Sequence, residues 1–305
     1  MKKVLWLVIP LALLGAYLYR PAAAPVAQEV KTPEAKPEPA AEPEIIIRPA
    51  TILQGDPAQI ITTGLPATTT VKSISFDGRP LGVFNDNGRP SALIGIDLRQ
   101  TTGSYPVMMT LSDGRMLKKN LVVGERIIAK APLGIPDKLG GNTPESEQEL
   151  LNTLAQEGAI INAIKTSSTK LWSGKFRYPL EGEITVTDVY GYSRLTGAST
   201  IAHKGTDFRA ATGTPVYAMN SGKVAYTGYL RNYGNVIGID HGLGLLTIYM
   251  HLSEIDAQLG ESVEKGQLIA KSGETGYVLG PHLHLTVRIN NISIDPMKFM
   301  ALLGE

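Results

Sequence analysis

Five histidines occur in the 305 residues, His203, His241, His251, His282 and His284, and none lies before residue 203. Two patterns among them could do chemistry. In HKGTDF, His203 and Asp207 stand four apart, a spacing that turns both side chains to one side of a helix or a strand. Gly205 between them leaves the backbone room for a close approach. In GPHLHLTV, His282 and His284 are two apart in an apolar run, so a strand would present both on one face. A buried imidazole without a partner costs free energy, which argues that these rings are liganded or hydrogen-bonded. With His203, Asp207 and one histidine of the pair as ligands, two neutral imidazoles and one carboxylate leave a fourth tetrahedral position open to water. That is the pattern of a catalytic zinc site rather than a structural one. A metal so held lowers the pKa of its water and polarises a carbonyl, leaving a nearby imidazole to move protons. Calcium and magnesium prefer all-oxygen shells. The spacing leaves open which of His282 and His284 is the ligand. His251, in YMHLS, is compatible with a cap or a hydrogen-bonded role as well as a functional one, and His241, in DHGLG, reads as a turn residue.

These residues need a scaffold, and the sequence supplies a mainly β one. From residue 175 to 305 the pattern is β-rich and glycine-punctuated, with turns expected around Gly182, Gly213, Gly222, Gly234, Gly242, Gly266 and Gly276. About 130 residues are enough for a stable core. Ahead of it, residues 126–174 read as an interdomain linker holding one helix. Thr143 is placed to cap, Pro144 suits the first helical position, Leu150, Leu151, Leu154, Ile161 and Ile164 recur at helical spacing, and Gly158 weakens the run. Residues 45–125 contain short runs at Ile45–Arg48, Ala58–Thr62, Val71–Phe76, Leu93–Leu98, Tyr105–Leu111 and Met116–Val123, with turn signals at Asp77-Gly78 and Asp113-Gly114. Strands at this spacing predict a small β-sandwich.

Composition excludes several classes of function. Lys and Arg number 29 against 28 Asp and Glu, and no basic stripe is interleaved with aromatics, so no nucleic-acid partner is expected. The chain has no cysteine, which removes disulfides, thiol catalysis and cysteine metal sites. Residues 1–24 combine two lysines, an apolar stretch from Val4 to Tyr19 and a small-residue run, the signature of an export signal. Pro25 directly after Ala22-Ala23-Ala24 disfavours cleavage, so either a signal peptide or an uncleaved membrane anchor is expected. Residues 25–44, almost entirely Pro, Ala, Glu and Lys, read as an extended tether. The rest of the chain is thereby expected outside the cytoplasm, in the cell envelope.

Nine blocks in order, HKGTD (203–207), GTPVYA (213–218), GKV (222–224), YGN (233–235), DHGLG (240–244), TIYMHLS (247–253), KGQLI (265–269), SGETG (272–276) and GPHLH (280–284), resemble the LytM/lysostaphin-type zinc metallopeptidases. The resemblance covers about residues 175–298. It implies a mostly antiparallel β-fold with a groove and hydrolysis of peptide bonds in peptidoglycan stem peptides or cross-bridges. It further implies Zn2+ held by His203, Asp207 and His284, with His251 and His282 as catalytic imidazoles that activate water and stabilise or protonate the tetrahedral intermediate. LQGD at 53–56 resembles the Ig-like domain found ahead of some such peptidases. Leu285 and Thr286 stand where the family commonly has Phe and Glu, and Met250 where a small residue is usual. For the tyrosine that some members place near the scissile carbonyl, Tyr190, Tyr192 and Tyr233 are candidates, and Tyr229 and Tyr233 are candidates to line the groove. The expectation is thus an envelope-tethered zinc endopeptidase whose substrate is a peptidoglycan peptide, with meso-diaminopimelate cross-links favoured over glycine bridges. Two alternatives fit parts of the pattern: a non-catalytic relative that activates other wall hydrolases, and a lipoyl-like membrane-fusion adaptor.

Overall fold

Alternating apolar residues and tight turns build the first module. The computed structural model describes residues 42–305 apart from 133, 136, 138, 139, 197 and 198, so the expected export segment and all but the end of the tether lie outside the described residues. Nine strands follow: β1 (Glu44–Arg48), β2 (Ile52–Leu53), β3 (Pro57–Thr63), β4 (Val71–Phe76), β5 (Arg79–Leu81), β6 (Val83–Asp86), β7 (Arg89–Gly95), β8 (Gly103–Leu111) and β9 (Met116–Gly124). They form two sheets, β1-β3-β7-β6 and β2-β9-β8-β4-β5. Ile45, Ile60 and Ile94 from the first and Phe76, Val107, Met109 and Val123 from the second share one core. The expected Asp77-Gly78 turn joins β4 to β5, both residues at positive φ (48° and 74°), as a two-residue hairpin requires. The run expected at Leu93–Leu98 is displaced to Arg89–Gly95, because the Asp97 carboxylate accepts from Arg99 N at 2.8 Å and folds the chain into a turn.

After β10 (Lys130–Pro132), helix α1 spans Pro144–Asn162, capped by the Thr143 hydroxyl and opened by Pro144 as the sequence predicts. Gly158 sits within it without ending it. Beyond α1 come β11 (Val186–Asp188), β12 (Ser193–Thr196), β13 (Ser199–Ala202), β14 (Thr206–Arg209), β15 (Pro215–Tyr217), β16 (Gly222–Leu230), β17 (Gly234–Gly242), β18 (Leu245–Leu252), β19 (Glu254–Ile255), β20 (Ser262–Val263), β21 (Leu268–Lys271), β22 (His282–Ile289), β23 (Ile292–Ile294) and α2 (Pro296–Leu303). The main sheet runs β11-β14-β22-β18-β17-β16-β20, with β23 on β22. Phe208, Tyr249, Leu283, Leu285 and Val287 line one face and bury the larger core. On the opposite face Leu246, Ile248 and Met250 pack against Ile161 and Ile164 from the end of α1. Among the described residues no helix is long and apolar enough to cross a membrane.

The segment between the modules is packed rather than loose. Ile135 is buried with Leu150, Leu154, Ile201 and Tyr277, β10 pairs in parallel with β12, and Trp172 stacks edge-on to Phe84 of the first module at 5.1 Å.

Candidate metal centre

Strand register assembles the site. β14 and β22 pair antiparallel with Asp207 opposite His284 and Arg209 opposite His282, while β18 places Met250 on the other flank of His284. Period two turns His282, His284 and Thr286 to one face and sends Leu283 and Leu285 into the core on the other. His203 follows β13, its N–H donating to Tyr192 O and its carbonyl accepting from Gly191 N, both at 2.8 Å. Gly205 is obligatory here: a Cβ on it would lie 2.4 Å from both His284 Nε2 and Leu285 O.

His251 reaches the site against the alternation of its own strand. Tyr249 points into the core, so a regular strand would send His251 there too. Between Asn235 and Ile237 of β17 the partner strand holds an extra residue, a bulge spanning Met250-His251, and His251 adopts φ 61°. The bulge turns its imidazole out beside His282 and His284, at ring-centroid distances of 4.9 and 5.8 Å. A left-handed conformation costs a non-glycine residue about 1 kcal/mol or more, and such strain collects at functional sites.

The donor atoms converge. His203 Nε2 lies 3.1 Å from Asp207 Oδ1 and 3.0 Å from His284 Nδ1, and His284 Nδ1 lies 2.8 Å from Asp207 Oδ1. Each ring's other nitrogen is committed elsewhere. His203 Nδ1 donates to Val189 O at 3.0 Å. His284 Nε2 donates to Thr286 Oγ1 at 2.9 Å, whose own proton goes to Lys204 O at 3.1 Å. In their neutral forms the two rings therefore point lone pairs at a carboxylate oxygen, and three acceptors meet with no proton among them. Such a cluster demands a positive charge at its centre, and a divalent cation with nitrogen and oxygen ligands fits it. The electrostatics agree. Burial opposes charging His203, but the Asp207 carboxylate, which the protonated ring would face, outweighs it and raises its pKa. Burial would likewise raise Asp207, yet the facing His203 and His284 imidazoles, wherever they take up charge, hold its carboxyl far below the usual range. Burial keeps His284 below the ordinary histidine value.

The remaining two imidazoles flank this cluster. His251 Nδ1 donates to Thr275 O and His282 Nδ1 to Gly280 O, each at 2.9 Å, so Nε2 is the nitrogen each has left for chemistry. His282 Nε2 lies 3.7 Å from Asp207 Oδ2. Burial, then the neighbouring His284 and His282, push the His251 pKa down to about 3, so the ring is a neutral base.

His241 is not a turn residue. It lies in β17, fully buried, its Nδ1 donating to Ser221 O and its Nε2 accepting from the Thr247 hydroxyl, and burial lowers its pKa to about 4. Tyr190 is no candidate for the scissile carbonyl: it is buried and its hydroxyl donates to Ser293 O at 2.7 Å. Tyr192 carries the Arg194 guanidinium over its ring at 5.4 Å. Tyr233 packs beside Met250, its carbonyl accepts from His251 N at 2.9 Å, and burial lifts its hydroxyl to about 12. Tyr229 is exposed on β16, separated from β22 by β17 and β18. Sequence reasoning passed over Thr286 as an outer partner of His284, although its position two residues along the same strand face was a usable signal.

An antiparallel sheet that gathers a His-Asp-His cluster and two further imidazoles at one end defines a metallopeptidase-like centre. Residues 201–296 match Peptidase family M23, so the chain carries an M23 peptidase domain. It is 34% identical over 244 residues to the peptidoglycan DD-endopeptidase ShyB of Vibrio cholerae, covering 74% of this chain and 54% of ShyB. To ShyA of the same organism it is 28% identical over 246 residues, covering 77% and 54%. The chain thus spans about half the length of these curated relatives. A crystal structure of a peptidase M23 from Pseudomonas aeruginosa superposes with a TM-score of 0.59 at 26% identity, covering 81% of this chain and 94% of that one.

Proposed function

We propose that this protein is a zinc-dependent endopeptidase that hydrolyses peptide bonds of peptidoglycan in the cell envelope. The observation that carries the reading is the convergence of His203 Nε2, His284 Nδ1 and Asp207 Oδ1 within 3.1 Å, with His251 and His282 at its edge. Zinc bound by these three residues would supply an acidified water and polarise the scissile carbonyl. His251 Nε2 takes a proton from the attacking water, the role that suits a neutral ring locked at Nδ1 by Thr275. His282 Nε2, 3.7 Å from Asp207 Oδ2, delivers one to the leaving amine. The export-type segment over 1–24 and relatives named as peptidoglycan endopeptidases support the envelope location and substrate.

Arg209 supports a choice of bond. It is exposed, shares the sheet face of His282 as its cross-strand partner, and has no carboxylate in ion-pair range among the described residues. Their Cβ atoms are about 5 Å apart, so the guanidinium borders the site. In a cross-link between D-alanine and meso-diaminopimelate, the residue on the amine side carries a free carboxylate next to the scissile bond, whereas a glycine bridge has none. A bidentate arginine favours the former.

The test is metal content and digestion of purified peptidoglycan by the full chain and its His284→Ala and His251→Ala variants. A wild-type chain without zinc, or three equal activities, overturns the reading. Activation of another wall hydrolase by the His284→Ala variant would favour the non-catalytic alternative.

A further inference from the structure

Arg126 leaves β9 and sits where the first module meets the M23 domain. Its Nη2 contacts Asp56 Oδ1 at 2.5 Å and its Nε donates to Gln54 O at 2.6 Å, both in the first module. Its Nη1 reaches Asp295 Oδ2, the cap of α2, at 3.0 Å. The guanidinium also lies over the Tyr190 ring, 5.4 Å from its centroid. Gly55, at φ 83°, comes so close to that ring that a Cβ would stand 2.4 Å from Tyr190 Cε1. On the far side the Tyr190 hydroxyl is tied to Ser293 O. Tyr190 is therefore wedged between the first module and β23.

The residues on either side of Tyr190 hold His203. Val189 O accepts from its ring, Gly191 N donates to its carbonyl, and Tyr192 O accepts from its N–H. Among the described residues, every hydrogen bond that holds the His203 ring and backbone, apart from those within the donor cluster, comes from the segment that Tyr190 anchors. We infer that Arg126 and Tyr190 are positioning residues through which the docked first module sets the His203 imidazole for metal binding. The inference rests on the metal reading of the site, and it makes the first module part of the metal-binding apparatus rather than an appendage.

The test compares four full-length variants by zinc affinity in chelator competition, by the visible spectrum of the cobalt-substituted protein, and by thermal unfolding. Arg126→Ala strands two buried carboxylates and is expected to weaken zinc binding tenfold or more, in the range usual for groups that orient a ligand. Gly55→Ala lies in the first module, touches no metal ligand, and displaces the Tyr190 ring. It is expected to weaken zinc binding to a similar extent and to shift the cobalt spectrum, even if Arg126→Ala fails to fold. Tyr190→Phe, which loses only the bond to Ser293, is expected to cost a few-fold. Phe84→Leu loosens the same interface at Trp172, away from His203, and is expected to lower the unfolding temperature with zinc affinity and spectrum unchanged. Wild-type zinc affinity in folded Gly55→Ala overturns the inference, as does an equal loss of affinity in Phe84→Leu. A wild-type chain that takes no zinc overturns the metal reading itself, and the coupling with it.

Discussion

Replacing Thr286 by valine probes the metal centre without touching a ligand. The two side chains are nearly isosteric, and Thr286 is 4% exposed, so packing is kept while one hydroxyl disappears. That hydroxyl accepts from His284 Nε2 at 2.9 Å and donates to Lys204 O at 3.1 Å. Both groups lose their partner in a site from which water is largely excluded, at about 1 to 3 kcal/mol each. Only the first loss bears on the metal. With no acceptor for its Nε2 proton, His284 loses both its preferred tautomer and its orientation toward Asp207. Outer hydrogen bonds of this kind are worth roughly 10- to 100-fold in metal affinity, or about 1.4 to 2.7 kcal/mol. Chelator competition on Thr286→Val should show zinc binding weakened by that factor, and Thr286→Ser, which keeps the hydroxyl, should restore most of it. Unchanged affinity in Thr286→Val, or equal loss in Thr286→Ser, would refute the role given to this residue.

The two histidines of the HLH run should separate by metal content. His284→Ala is expected to lose zinc, whereas His282→Ala should keep it and lose about 10²- to 10⁴-fold in turnover, the usual worth of a proton-transfer group. Gly205→Ala drives a Cβ to 2.4 Å from His284 Nε2 and Leu285 O, so metal content should fall and unfolding should be easier by about 1 to 3 kcal/mol, measured by elemental analysis and urea denaturation. His241 has a folded pKa of about 4 against about 6.5 when unfolded, so between these values only the unfolded chain takes up the proton and stability falls as pH drops through that window. The full effect is about 3 kcal/mol. Urea titrations at pH 7 and pH 5 should show a smaller loss in His241→Gln than in the wild type, and parallel losses would count against it. Arg209→Ala should raise KM for cross-links with a free diaminopimelate carboxylate and leave substrates amidated at that carboxylate unaffected, as read from hydrolysis of defined muropeptides.

Much of the architecture was legible because it depends on local chemistry. Asp77-Gly78 needed two positive φ values, and Thr143 with Pro144 could open a helix wherever the chain went, so hairpin and helix start follow from neighbours in sequence. The displaced β7 is the counterexample, since a side-chain bond from Asp97 ended a strand that its apolar pattern would have continued.

For the site, the sequence by itself determined its raw materials: five histidines confined to one module, an HxxxD and an HxH whose spacing puts each pair on a common face, and a glycine at the one place where a Cβ would strike His284. Periodicity is a property of a single strand, and it says nothing about which strand lies alongside. Only the tertiary structure decided that Asp207 stands opposite His284, since that depends on the register of β14 against β22. Only a bulge in β18, visible as an extra residue against β17, could bring His251 out of the core-facing row. Of the HLH pair it is His284 that meets Asp207 and His203, through contacts 77 and 81 positions apart in sequence, while Gly280 and Thr286, each two residues away, fix the nitrogen each ring presents. The link from the first module to His203 runs through Tyr190, which Gly55 meets from more than a hundred positions away, and no local pattern could encode it.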